Sequence, residues 1–400
     1  MVAPRAVSAL VALVLAALLL ALAACGGDAE TESPANSPSP QSQSPESPTS
    51  STAEPSAPPS DNDQSGPPKV TATVATGLEV PWGIDFLPDG TAVVTERDSA
   101  RVLAVSPKGD GWEVSQIGVV EAAAPEVEGG LLGVAVSPDW SADPSVYLYV
   151  TTAEDNRVMR TRFGGGGLAP AEPILTGIPR GFIHDGGRLA FGPDGYLYVS
   201  TGETGVPELA QDPDSLAGKI LRITTAGRPA PGNPDPDSPV WSLGHRNVQG
   251  LAWDDQDRLW ASEFGQDTYD ELNLIEPGGN YGWPRVEGKA ADNPGVSAEG
   301  FIDPVLTWRT QDASPSGLAY VDGSLWMGAL RGARLWQIRL PANGEARAHA
   351  HFVGEYGRLR SVAVAPAAEG EEATLWVTTS NRDGRGSPVA EDDRILQVTP

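Results

Sequence analysis

The chain has 400 residues, of which 53 are acidic, 27 are lysine or arginine and one is cysteine, giving a formal net charge of −26. Such a surface repels nucleic-acid phosphates and argues against a nucleic-acid partner. A single cysteine excludes a disulfide framework.

The chain opens with Arg5 and an apolar run from Val7 to Ala24 that ends in small residues. This reads as a signal peptide over residues 1–24 rather than a spanning helix. Leu22-Ala23-Ala24-Cys25 resembles a bacterial lipobox, with the lone cysteine where the lipidated residue belongs. Residues 25–68 are dominated by Ser, Pro, Thr, Gln and acidic side chains. They carry too little apolar surface to offset ordering entropy, and we expect a disordered tether.

From residue 69 onward one pattern recurs: a short apolar strand opened by a small residue, a turn, a second strand rich in Leu, Tyr, Trp and Val, then a third. The copies open at Gly83-Ile84-Asp85-Phe86, Gly133-Val134-Ala135-Val136, Gly187-Arg188-Leu189-Ala190-Phe191, Gly250-Leu251-Ala252-Trp253, Gly317-Leu318-Ala319-Tyr320 and Ser361-Val362-Ala363-Val364. Repeats of this kind predict an all-β fold, a six-bladed β-propeller over residues 69–400. Pro88-Asp89-Gly90, Pro138-Asp139, Pro193-Asp194-Gly195 and Asp254-Asp255 suit hairpin turns, so their aspartates are turn formers rather than catalytic groups. Fourth strands are expected at 113–119, 173–178, 239–243, 304–308 and 348–353, and only the sixth copy lacks one. The segment Val70–Thr76 supplies it, pairing with the C-terminal strand and closing the ring. An open solenoid would space its repeats evenly. These are uneven, with the extra length in connections.

In a propeller, fourth-to-first and second-to-third connections share one face. Residues suited to chemistry fall there: Glu128, His184, His245-Arg246-Asn247 and Arg358-Leu359-Arg360 in the first kind, and Glu203, Glu263 to Gln266 and Arg331 in the second. Converging arginines suit an anionic ligand with planar carboxylates. They would equally serve to stitch blades together by pairing with Glu96, Glu203 and Glu263.

The motifs Gly129-Gly130-Leu131-Leu132-Gly133, His184-Asp185-Gly186-Gly187-Arg188-Leu189, Gly218-Lys219-Ile220-Leu221-Arg222, Gly244-His245-Arg246-Asn247-Val248-Gln249-Gly250, Asp270-Glu271-Leu272-Asn273 and Gly279-Asn280-Tyr281-Gly282-Trp283-Pro284 resemble the soluble quinoprotein glucose dehydrogenases and aldose sugar dehydrogenases. The resemblance implies pyrroloquinoline quinone (PQQ) and a calcium ion on one face of the propeller, and oxidation of an aldose at C1 to its lactone. It further implies His184 as catalytic base and Arg246 as stabiliser of charge on the reduced quinone. Cofactor contacts are implied for Glu128, Arg246, Asn247, Arg331, Arg358 and Arg360, and calcium ligation by the main-chain oxygens of Gly265 and Gln266. Gln266 stands where the family has proline, Glu128 where the glucose dehydrogenases have glutamine, and Ile183 where they have aspartate.

An aldose, an external electron acceptor and, through the lipid anchor, the membrane are the expected partners, at the extracellular face of the cell. His245 is expected to orient its loop, and His349 and His351 to lie on an outermost strand. Two other functions fit the fold: a non-catalytic lipid-anchored binding module, and a calcium-dependent lactonase whose metal Glu128, Glu203 and Glu263 would approach.

Overall fold

The small residue that opens each repeat sets how closely the blades can gather. A computed structural model describes residues 66–340, 345–367 and 370–400; the signal segment, Cys25 and the tether as far as residue 65 lie outside the described residues. A Cβ added to Gly133 would stand 2.1 Å from Gly187 O, and one on Gly250 would stand 2.2 Å from Ser262 Oγ and 2.4 Å from Ser316 O. First strands of neighbouring blades therefore approach backbone to backbone around a central channel.

The strand order gives six antiparallel sheets. After β1 (Lys69–Ala75), the first blade is β2 (Pro81–Phe86), β3 (Ala92–Glu96), β4 (Arg101–Lys108) and β5 (Gly111–Val119). The second is β6 (Leu131–Val136), β7 (Ser145–Thr151), β8 (Asn156–Gly164), the short β9 (Gly167–Leu168) and β10 (Glu172–Ile178). The third is β11 (Leu189–Phe191), β12 (Leu197–Ser200), β13 (Lys219–Ile223) and β14 (Val240–Leu243). The fourth is β15 (Val248–Trp253), β16 (Leu259–Glu263), β17 (Tyr269–Ile275) and β18 (Leu306–Arg309). The fifth is β19 (Pro315–Val321), β20 (Ser324–Ala329), β21 (Arg334–Arg339) and β22 (Arg347–His351). The sixth joins β23 (Leu359–Ala365), β24 (Thr374–Thr379) and β25 (Ile395–Thr399) to β1, with Val70 opposite Val398 and Ala75 opposite Ile395.

The expected closure is thus present, and the unevenness of the repeats lies in connections. The small β9 hairpin in the Gly164–Gly167 run has no counterpart in the sequence reading. The turn aspartates act as expected: Asp89 Oδ1 accepts from Thr91 N at 2.9 Å, and Asp194 Oδ1 from Tyr196 N at 3.1 Å. Asp194 also anchors its blade, taking Tyr198 Oη and Arg222 Nε.

Hydrophobic clusters fill the space between adjacent blades rather than a common centre. Hydroxyl bridges reinforce the inner ring: Ser200 Oγ donates to Val248 O at 2.8 Å, Ser262 Oγ to Ser316 O at 2.7 Å and Ser361 Oγ to Trp82 O at 2.5 Å. At the closure, Trp376 of the sixth blade meets Phe86 and Trp112 of the first edge-on, at 5.1 and 5.8 Å. Trp376→Ala leaves a cavity at this seam and should cost about 3–5 kcal/mol, read as a lowered urea midpoint.

Candidate active site

The connections of one parity meet over the end of the channel and enclose a cavity of about 410 Å3. His184, Arg246, Asn247, Glu128, Arg331, Arg358, Arg360, Gly265 and Gln266 all line it. Every site residue inferred from the sequence within the described residues is therefore brought to one place. Six arginines and only two acidic side chains, Glu128 and Asp270, face the cavity, in a chain of net charge −26.

His184 sits at the end of a four-residue run, Gly181 to His184, bent tightly against the next connection. Its φ of +59° lies in the left-handed region that a side-chain-bearing residue occupies only when its surroundings enforce it. Glu128 Oε2 accepts its N–H at 2.9 Å, Thr204 N donates to its carbonyl at 3.2 Å, and Gly202 leaves no room for a Cβ, which would lie 1.9 Å from His184 O. Its Nδ1 contacts Glu203 and its Nε2 lies 2.9 Å from Arg246 Nη2. A guanidinium only donates, so Nε2 accepts and the imidazole proton is on Nδ1, directed at Glu203. The result is a neutral imidazole with a basic lone pair turned to the cavity.

Arg246 is fixed by Gln266 Oε1, at 3.0 Å from Nε and 2.8 Å from Nη2, and lies over the Trp283 ring at 5.5 Å. Burial lowers its pKa from the ordinary arginine value, against the pull of Glu203 and Glu263. Asn247 Oδ1 is committed to Gly186 N–H at 3.0 Å, so Asn247 offers the cavity its amide donor. Arg358 meets Asp383 Oδ2 through Nε at 3.0 Å and Nη2 at 2.9 Å, and Arg360 lies 3.6 Å from the same oxygen. Arg360 is 4% exposed, and burial together with Arg97 pushes its pKa down to about 9. Arg331 is exposed on the rim and makes no hydrogen bond or ion pair to the described residues.

The loop after β16 holds Gly265 and Gln266. Gly265 is required there, since a Cβ would stand 1.7 Å from Tyr269 O. One oxygen of Glu287 accepts the amides of Gln266, Asp267, Thr268 and Tyr269 at 2.7–3.2 Å. Burial opposes ionisation of Glu287, but these four donors hold its carboxyl below the usual range. That carboxylate fixes the loop that carries Gln266. The carbonyls of Gly265 and Gln266 accept none of the hydrogen bonds that stitch the loop, which leaves both available to a hard cation.

The acids that could have paired with the arginines do other work. Glu96 holds Arg101 at 2.7 Å, Glu203 holds His184, and Glu263 holds His245 Nδ1 at 2.8 Å and the Arg246 backbone N–H. His245 also binds Ser242 Oγ at 2.8 Å and stacks on Tyr281 at 4.7 Å, so it orients its loop as expected. His349 is exposed, while His351 binds Gln337 Oε1 at 3.1 Å.

Sequence reading missed Arg97, Arg385 and Asp383. Arg385 reaches Glu128 Oε1 at 2.8 Å across the cavity, and with the His184 N–H keeps the largely buried Glu128 carboxyl below its usual range despite desolvation. All three lie in second-to-third connections, of the first and sixth blades. The parity argument applied to those two connections would have found them.

A ring of blades whose channel mouth gathers a histidine and six arginines defines a class: a propeller with a strongly basic site at one end of its channel. Residues 78–390 match the model of the glucose/sorbosone dehydrogenase family, and the chain belongs to that family. It is 52% identical to the PQQ-bound aldose sugar dehydrogenase of Streptomyces coelicolor, with a TM-score of 0.77 over 83% of this chain and 97% of that one. It is 43% identical to the oxidoreductase (glucose dehydrogenase) of Thermus thermophilus, with a TM-score of 0.73 over 82% and 98% of the two chains. The aldose sugar dehydrogenase YliI of Escherichia coli is 29% identical over 81% of this chain and 91% of its own.

Beside His184, Asp185 is 2% exposed, with Oδ1 bound to Asn156 Nδ2 at 2.9 Å and Gly181 N at 3.2 Å and Oδ2 unpartnered. Burial pushes its carboxyl up to about 6, against the pull of those two donors. The folded protein therefore holds this proton more tightly than the unfolded chain, and the Asp185 contribution to stability is lost as pH rises from about 4 to about 6. Asp185→Asn removes that dependence. Urea unfolding across this window should show the variant gaining on the wild type by on the order of 2–3 kcal/mol.

Proposed function

We propose that this protein is a PQQ-dependent aldose sugar dehydrogenase that oxidises its substrate at C1 to the lactone and passes the electrons to an external acceptor. The observation that carries this reading is His184, its Nδ1 held by Glu203 and its Nε2 turned to an arginine-lined cavity. The donor set fits the group: PQQ is a planar tricarboxylate, and the cavity offers guanidinium forks with few acids to repel it.

Arg358, Arg360 and Arg331 would hold its carboxylates, with the Asn247 amide and Arg246 beside the quinone edge. Arg358 and Arg360 are pre-aligned by Asp383, so little side-chain entropy remains to be lost on binding. A calcium ion would take the free carbonyls of Gly265 and Gln266. When bound, PQQ supplies the two-electron acceptor for the C1 hydride.

This chain's own residues do the rest. The C1 hydroxyl replaces Arg246 as the partner of His184 Nε2, which takes the hydroxyl proton. Glu203 faces the imidazole proton on Nδ1 and stabilises the imidazolium that forms. Arg246, anchored by Gln266, keeps its positive charge toward developing negative charge without reorganising. Glu128, neutralised by Arg385, ties down the strained backbone of His184 and lies within the cavity beside the sugar.

The lactonase alternative needs Glu128, Glu203 and Glu263 to converge on one ion. Each is instead bound to a different cationic or N–H partner. We further propose that Cys25 carries a lipid and that the domain works at the outer face of the membrane, delivering electrons there. Release of the native protein from washed membranes without detergent contradicts the anchor.

Titration of the protein with PQQ and calcium, followed by dye reduction across a panel of aldoses, tests the function. Saturable dye reduction should require both additions. His184→Ala should lower kcat by roughly 10²–10⁴-fold while PQQ affinity, read by calorimetry, stays within a few-fold. Equal turnover in the variant contradicts the assignment of the base.

A further inference from the structure

Arg188 bridges opposite blades next to Trp82 and Gln249, which line the cavity. It immediately precedes β11 in the third blade and crosses to the sixth, where its Nη1 reaches Ser361 Oγ at 3.1 Å. Its Nε donates to Gln249 O at 2.8 Å, and its Cζ lies 4.5 Å over the Trp82 ring. Its Nη2 is buried and meets no acceptor among the described residues. Among the described residues Arg188 has no acidic partner, and burial lowers its pKa to about 9.

Arg360 adds to the imbalance. Its Cζ lies 5.7 Å from the same Trp82 ring, and its Nη1 donates to Gln249 Oε1 at 3.2 Å. Arg97 and Arg358 are also close enough to act on it, against the single carboxylate of Asp383. An unpaired buried cation is costly, and an unfilled buried donor adds to that cost. Arg188 does not line the cavity that would take the cofactor, so the cofactor's carboxylates leave its Nη2 unfilled.

We propose that the floor of the channel is a binding site for one small inorganic anion of the halide class, bound to Nη2 of Arg188 with Arg360 as the neighbouring positive charge. Arg188 is 8% exposed and does not line the cavity above, which favours a small ion over an organic carboxylate. The anion neutralises the channel and lets Arg188 keep its cross-channel bonds while charged.

The test uses the protein without added cofactor, so its outcome is independent of the dehydrogenase reading. Crystals grown in bromide should show an anomalous peak at hydrogen-bond distance from Arg188 Nη2. In solution, chloride at about one hundred times its Kd should raise Tm by roughly 4 °C over isethionate at equal ionic strength. Arg188→Met should abolish the difference between the two salts. Should that variant fail to fold, the bromide peak in the wild type decides by itself. Ordered water without anomalous signal at Nη2, or equal Tm in chloride and isethionate, overturns the proposal.

Discussion

Everything in this molecule depends on how closely the first strands crowd around the channel. A Cβ at Gly133 or Gly250 would collide with the backbone or hydroxyl of a neighbouring strand, so the opening of each repeat must be small. Crowding at the axis also fixes where the connections emerge. Fourth-to-first connections turn over the channel mouth just before the small residue, and His184, Arg246 and Arg358 are held there by backbone that has nowhere to move. Closure through β1 and β25 locks the separations of all six inner strands at once. A propeller open at that seam would lose the register between His184 of the third blade and the arginines of the sixth.

Electrostatics follow from this geometry. An acidic protein concentrates arginine where solvent is least able to screen it, and beyond Asp383 and Glu128 the nearby acids are assigned elsewhere. Glu203 and Glu263 each hold a histidine, and Glu287 ties a backbone loop. What remains is positive charge in a low-dielectric pocket, which a polyanionic ligand would relieve. The same assignment leaves His184 neutral with its lone pair outward, because the arginine on one side can only donate and the glutamate on the other accepts the Nδ1 proton.

The propeller, its six blades and its closing strand were legible in the sequence because small residues recur at the crowded positions and because β-strands alternate with turn signals. The parity of connections placed His184, Arg246, Asn247, Arg358 and Arg360 together without coordinates. Side-chain pairing was not legible. That Glu128 meets Arg385, that Asp383 aligns two arginines and that Glu287 fixes its loop depend on contacts between residues 18 to 257 positions apart in the chain. Arg188 was visible only as part of a motif, since nothing local shows that its side chain crosses the channel to another blade.

The most direct measurement of the central claim is a crystal structure of the protein grown with PQQ and calcium. The account predicts the quinone in the 410 Å3 cavity, its carboxylates on Arg358 and Arg360 and one edge beside His184 Nε2. Density for the quinone elsewhere, or a cavity in which Arg358 and Arg360 keep only protein partners, would contradict it.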